Sequence, residues 1–118
     1  MKRIEKLEKI DESVNIKQQG VNYTFYWAYR HTIETDKKLL NFDSVIWNSD
    51  VPEIIKECKK FNIKEFTISR TDAHFFNILA DFEKYNCTIA GMAKINDPWA
   101  EDEMGRPKKL DAIKMRIN

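Results

Sequence analysis

The chain has 118 residues, of which 42% are hydrophobic and 33% charged, and its formal net charge is +1. This composition is typical of one globular domain and excludes a largely disordered chain. No apolar run reaches the roughly 18–20 residues that span a bilayer, and the charged N-terminus MKRIEKLEKIDES lacks the apolar core of a signal peptide. We therefore expect a single cytoplasmic domain, with residues 1–20 as a helical arm and residues 21–118 as an α/β body.

Two helices are predicted before the first strand. Residues 1–14 place Ile4, Leu7, Ile10 and Val14 at helical spacing, which gives a narrow apolar stripe that must dock on something. The segment NIKQQG then breaks the pattern at Gly20. A second, aromatic-rich helix is expected over residues 21–38.

The body alternates strand and helix patterns. Residues 45–47 are expected to form a short strand, and Asp50 to cap a helix that buries one face, namely Val51, Ile54, Ile55, Cys58 and Phe61. IKEFTIS is the next strand. RTDAHFFNILADFEKYN is a helix that buries Phe75, Ile78, Leu79 and Phe82.

The last two strands are CTIAGMAKI and LDAIKMRI, joined by the loop NDPWAEDEMGRPKK. The element order is therefore α-α-β-α-β-α-β-β. It predicts a mixed four-stranded sheet with helices packed on it and a C-terminal antiparallel hairpin.

The motifs of common enzyme classes are missing from the sequence. There is no Gly-x-Ser-x-Gly elbow, no Gly-rich phosphate loop, no Cys-x-x-Cys pair and no His-x-x-x-His pair. Cys58 and Cys87 lie in apolar patterns and are expected to be reduced, buried thiols. We therefore expect no catalytic site, metal or cofactor. The one enzyme-like stretch is SRTDAH, Ser69 to His74, where a strand meets a helix N-terminus and a small enzyme could have its site. An ordinary helix cap is the favoured interpretation of it.

The stretch NYTFYWAYRHTIET is the most unusual feature, with five aromatic residues in seven positions. Helical spacing divides it into two faces. Val21, Phe25, Ala28, Tyr29 and Thr32 form a core face, whereas Tyr23, Trp27 and Arg30 lie opposite. The N-terminal arm, a second chain in a homodimer, or a partner protein could cover this second set, because Tyr, Trp and Arg dominate binding hot spots.

Two further groups of residues are candidates for binding. Trp99 lies among acidic residues of the last loop and, with Glu101 and Asp102, could anchor a basic partner protein. Residues 104–118 hold five basic residues against one acidic residue, although residues 41–103 hold seven against twelve. The alternative function is therefore nucleic-acid binding by the basic C-terminal segment, through Arg106, Lys108, Lys109, Lys114 and Arg116.

From about Leu39 to the C-terminus, the chain resembles a family of small, uncharacterised proteins of Firmicutes mobile elements. Three motifs carry the resemblance: NFDSVIW at residues 41–47, EFTIS at 65–69 and FEKYNC at 82–87. Because the family is one of unknown function, it transfers no catalytic or binding residues. The resemblance implies a mobile-element protein that disarms host defence, as anti-CRISPR proteins do by binding a Cas nuclease or blocking its guide RNA loading. The expected function is thus a non-enzymatic protein-binding module, with a CRISPR effector nuclease as the expected partner.

Overall fold

The computed structural model describes residues 1–70 and 72–118, and for Pro98 and Trp99 it describes the backbone alone. The described elements follow the predicted order, with four α-helices and four β-strands. They are α1 (Glu5–Glu8), α2 (Tyr23–Glu34), β1 (Leu40–Phe42), α3 (Asp50–Lys60), β2 (Glu65–Ile68), α4 (Phe75–Lys84), β3 (Cys87–Glu101) and β4 (Pro107–Ile117).

The four strands form one mixed sheet in the order β1-β2-β4-β3. β1 and β2 are parallel, with Leu40 opposite Phe66, because α3 provides the crossover between them. β4 runs antiparallel to both of its neighbours. The predicted fold class and C-terminal antiparallel pair are therefore confirmed, and the last strand of the chain lies inside the sheet between β2 and β3.

The core lies between the helices and one face of the sheet. Phe66 of β2 contacts Phe82 of α4, with ring centroids 5.5 Å apart, and Met115 of β4 is buried beside them. On α3 four of the five residues of the predicted face, Val51, Ile54, Ile55 and Cys58, are buried, whereas Phe61 follows the helix and is half-buried. Both cysteines are free and buried, as expected. The core face predicted for α2 is also buried at all five positions: Val21, Phe25, Ala28, Tyr29 and Thr32.

The strand predicted at residues 45–47 is wrong. The strand is Leu40–Phe42, and residues 45–47 belong to the irregular connection that leads to α3, with Ile46 buried. The prediction that Asp50 caps α3 is also wrong, because the N-cap residue is Ser49. The Asp50 carboxylate instead accepts hydrogen bonds from the Trp47 backbone N–H (3.1 Å) and the Thr24 hydroxyl (2.9 Å), and so ties the connection to α2.

The hairpin loop predicted at residues 96–109 is also wrong, because most of it is strand. β3 continues to Glu101 and β4 begins at Pro107, which leaves a turn at residues 102–106. Turn-forming residues within β3 are tolerated there because β3 is an edge strand, and the pairing register shifts between Asp97 and Glu101. Gly105 adopts φ +76° in the turn, which favours glycine.

The N-terminal helix predicted over residues 1–14 is wrong in extent, because only Glu5–Glu8 is α-helical; a single 3₁₀ turn follows at Lys17–Gln19. Residues 1–20, the N-terminal arm, nevertheless dock on α2. Leu7 is 0% exposed. The Tyr29 hydroxyl accepts a hydrogen bond from the Ile4 N–H (2.8 Å) and donates one to Glu8 (2.7 Å).

Candidate functional site

A groove of about 460 Å³ lies between the loop that follows α2 and the strands β2, β3 and β4. Five of its eleven lining residues are lysines, and its only acidic lining residue among those the structure describes is Asp36. We call it the lysine groove. Its lysines are Lys37, Lys38, Lys94, Lys109 and Lys114.

The end of α2 places the first two lysines. Asp36 adopts a left-handed conformation (φ +52°), and the Lys37 N–H bonds back to the Thr32 carbonyl (3.1 Å), which together form a Schellman-type helix end. The Lys37 carbonyl then accepts a hydrogen bond from the Met1 amino group (2.7 Å). The N-terminal arm therefore holds one lip of the lysine groove in place.

The strands supply the remaining lysines. Lys114 lies opposite Thr67 in the sheet and forms an ion pair with Glu65 (3.3 Å). On the hairpin, Lys94 pairs with Asp111, and Lys109 donates a hydrogen bond to Asn96. These contacts use part of each ammonium group's capacity and leave it able to bind an anion, since each carries three donors.

The electrostatics of the groove favour an anionic ligand. Burial lowers the pKa of Lys37, although the carboxylates of Asp43 and Asp97 act in the opposite direction. A bound anion would favour the charged ammonium. Between the lysines the lining is aliphatic, with Leu39, Ala93 and Ile95. The arrangement can hold a ligand that combines negative charge with apolar surface.

The residues predicted on the outer side of α2 lie in three different environments. Tyr23 is 62% exposed, and its ring lies 6.3 Å from the half-buried Trp27. Arg30 is half-buried and forms ion pairs with Glu8 (2.8 Å) and Glu12 (3.6 Å) of the arm. The arm thus covers the Arg30 end of this face and leaves Tyr23 in solvent.

The acidic residues predicted near the last loop lie at the tip of the hairpin. Glu101 is exposed at the end of β3. Asp102 accepts hydrogen bonds from the backbone N–H groups of Met104 (2.9 Å) and Arg106 (3.0 Å), and these bonds lower its pKa. Asp102 therefore has a structural role in closing the turn. The side chain of Trp99 lies outside the described part of the chain.

The five predicted basic residues are divided between the groove and other parts of the hairpin. Lys109 and Lys114 line the lysine groove. Arg106 pairs with Asp102 (3.1 Å) in the turn, Arg116 pairs with Glu65 (3.4 Å), and Lys108 is exposed on β4. Sequence reasoning missed Lys37, Lys38 and Lys94. The signal available for the first two was a pair of lysines at the C-terminal end of the helix predicted over residues 21–38.

The enzyme-like stretch from Ser69 to His74 forms no site among its described residues, which do not include Thr71. His74 is exposed, and its backbone N–H donates to the Asp72 carboxylate (2.9 Å), so Asp72 shapes the turn before α4. The adjoining cavity, lined by Arg70 and Asp72, measures only about 10 Å³. This volume has room for about one water molecule and is too small for a substrate.

Neither a metal site nor a membrane-spanning helix is found among the described residues. No group of three His, Cys, Asp or Glu side chains there could hold a metal ion. No described helix has both the length and the apolar character needed to cross a membrane.

Comparison with known proteins gives one match. The model of a domain of unknown function, DUF7698, matches residues 24–117, and so extends further towards the N-terminus than the resemblance found from the motifs. No curated protein and no solved structure matches the chain. The matched region covers most of the chain and includes α2 apart from Tyr23, the whole sheet and every residue that lines the lysine groove. The chain belongs to the DUF7698 family, whose shared domain has no known function.

Proposed function

We propose that this protein is a non-enzymatic binding module that holds an acidic segment of a partner protein in the lysine groove. The observation that carries the proposal is the lining of that groove: five of the eleven described lining residues are lysines and one is acidic, and they lie around an aliphatic surface. The volume of about 460 Å³ falls within the range of roughly 300–1,000 Å³ that is usual for ligand pockets. Several carboxylates and one or two apolar side chains of a peptide would match it.

Two features favour an acidic peptide over nucleic acid. None of the groove's described lining residues is aromatic, whereas single-stranded nucleic acid is usually held by bases stacked on aromatic rings. Duplex DNA would require a broader basic surface, yet Arg106 and Arg116 are paired with carboxylates outside the groove. An acidic peptide needs neither feature, because lysine ammonium groups bind carboxylates and lysine stems pack against apolar side chains.

A narrower proposal concerns the identity of the partner. The resemblance to mobile-element proteins favours a host defence protein in the cytoplasm, and in particular a CRISPR effector nuclease. Its support is the resemblance alone. It is tested by co-purification of this protein with a Cas nuclease, followed by a cleavage assay in its presence.

The groove itself is tested with two labelled probes, the peptide EELEELEE and a twelve-nucleotide oligo-dT. The groove variant is Lys38→Glu/Lys109→Glu, which reverses two lining charges at exposed positions. The matched control is Lys59→Glu/Lys64→Glu, which makes the same change in net charge at exposed positions outside the groove. Fluorescence anisotropy at low salt measures the affinity for each probe.

We expect the wild-type protein to bind the acidic peptide, the groove variant to lose at least about tenfold in affinity, and the control to retain it. Tighter binding of oligo-dT than of the peptide, with a steep salt dependence, would replace this proposal with the nucleic-acid alternative. Absence of binding to either probe, or equal loss in both variants, would overturn it.

A further inference from the structure

A second surface, unlike the lysine groove, lies on the outer side of α2 and on the connection between β1 and α3. It carries Tyr23, Trp27 and Trp47, which we call the aromatic surface. Tyr23 is 62% exposed and Trp47 is 67% exposed, whereas Trp27 is half-buried. Exposed Tyr and Trp side chains that lie close together mark sites of molecular recognition more often than single exposed apolar residues do.

One carboxylate brings the two segments of this surface together. A single oxygen of Asp50 accepts hydrogen bonds from the Thr24 hydroxyl (2.9 Å) and from the Trp47 backbone N–H (3.1 Å). Thr24, the residue after Tyr23, and the backbone of Trp47 are therefore held at the same carboxylate. Asp50 is buried, so the arrangement is built into the fold rather than formed by a flexible loop.

Two carboxylates lie near the aromatic surface. The Asn22 side-chain amide, next to Tyr23, donates a hydrogen bond to the exposed Glu53 (2.8 Å). Farther along α2, the His31 ring lies 6.1 Å from that of Trp27 and 3.3 Å from the Asp43 carboxylate. The surface thus has a carboxylate near each end.

The guanidinium of Arg30 on this side of α2 is paired with carboxylates. Arg30 follows Trp27 by one helical turn, and its guanidinium lies 2.8 Å from Glu8 and 3.6 Å from Glu12 of the docked N-terminal arm. A third carboxylate, that of Glu34, lies 3.9 Å away. Docking of the arm therefore surrounds the Arg30 guanidinium with carboxylates, one of which, that of Glu8, also pairs with Arg3 (2.9 Å).

Aromatic rings flanked by carboxylates are suited to guanidinium and ammonium groups, which stack on ring faces and pair with the acids at their edges. We infer that the aromatic surface binds an arginine- or lysine-rich segment of a partner protein. This inference does not rest on the lysine groove. The two surfaces have opposite charge and share no residue. An experiment can therefore refute the proposal for one surface while the proposal for the other stands.

The test uses a fluorescein-labelled (Arg-Gly)₄ peptide, with (Glu-Gly)₄ as the probe of opposite charge, at about 50 mM salt, where surface charges are weakly screened. The variant Tyr23→Ala/Trp47→Ala removes the two exposed rings. Its matched control is Phe76→Ala/Tyr85→Ala, which removes two exposed aromatic rings at α4 and the residue after it. All four positions are exposed, so the variants should keep their far-UV circular dichroism and melting temperature.

We expect (Arg-Gly)₄ to bind the wild-type protein and the α4 control equally, and the Tyr23/Trp47 variant about tenfold more weakly, as the loss of two cation–π contacts predicts. A second variant, Asp43→Asn/Glu53→Gln, keeps the rings and should lower both the affinity and its salt dependence. The groove variant Lys38→Glu/Lys109→Glu should keep the wild-type affinity for (Arg-Gly)₄. Full binding by the Tyr23/Trp47 variant, equal loss in the α4 control, or absence of binding to the wild type would overturn the inference.

Discussion

Leu7→Ala should destabilise the whole domain, although Leu7 belongs to a helix of only four residues. Its side chain is 0% exposed and lies in the same core cluster as Phe25 and Tyr29. Removing three carbons from a fully buried leucine costs about 2–5 kcal/mol. We expect a loss of about 3 kcal/mol in the free energy of unfolding, or roughly 10–15 °C in Tm for a chain of this size.

The assay is urea unfolding at pH 7, followed by tryptophan fluorescence and by far-UV circular dichroism. Val14→Ala is the control within the N-terminal arm, because Val14 is 49% exposed and its truncation should change the free energy of unfolding by less than about 0.5 kcal/mol. Both probes should report one cooperative transition for each variant. The reasoning would be refuted if Leu7→Ala cost no more than Val14→Ala, since the arm would then contribute nothing to the core.

Three further predictions concern titratable groups. Burial raises the pKa of the Cys87 thiol to about 11 and that of Cys58 further, so neither should react with a thiol reagent at pH 8 until the protein is unfolded. Burial also raises the pKa of Glu57, and one of its carboxylate oxygens has no hydrogen-bond partner among the described residues. Glu57→Met should therefore raise the free energy of unfolding at pH 7 by about 1 kcal/mol. The gain should be smaller at pH 4, because the wild-type carboxyl is protonated there. The pKa of Glu8 is lowered, chiefly by the hydrogen bond from the Tyr29 hydroxyl. The stabilising effect of Glu8 is therefore complete above pH 4.5 and is lost as the pH falls below it. In urea titrations, Glu8→Gln should have a lower free energy of unfolding than the wild type at pH 7, and this difference should shrink towards pH 3.

The helices of the body could be predicted because each buries one face at a regular spacing. On α3, Val51, Ile54, Ile55 and Cys58 recur every three or four positions between lysines, and all four are buried. β1 could not be found in the same way. Leu40, Asn41 and Phe42 are all buried, so no alternation marks the strand. Asn41 looks polar in the sequence, yet its side chain is satisfied inside the fold by Thr67 (2.7 Å) and Ser69 (3.0 Å).

The candidate site was only partly predictable, for a different physical reason. The lysine groove unites the loop after α2 with Thr67 of β2 and with β3 and β4, which lie more than 50 residues further along the chain. No local pattern links Lys37 to Lys94 or Lys114. Their proximity depends on the entry of β4 into the centre of the sheet, which the sequence did not indicate. Trp27 and Tyr23, by contrast, lie on one helix, so their shared face could be predicted from helical spacing alone.

The net charge of +1 is the small difference between 20 basic and 19 acidic residues, and it does not argue against binding of charged partners. The lysine groove concentrates positive charge beside the end of α2, while Glu8, Glu12 and Glu34 gather around Arg30 on the outer side of the same helix. The N-terminal arm connects the two surfaces, since it supplies Glu8 and Glu12 to one and its Met1 amino group holds the Lys37 lip of the other (2.7 Å). If Leu7→Ala releases the arm, binding of the acidic peptide and of the arginine peptide should weaken together. The Val14→Ala control should leave both unchanged, so a loss confined to one surface would show that the arm does not connect them.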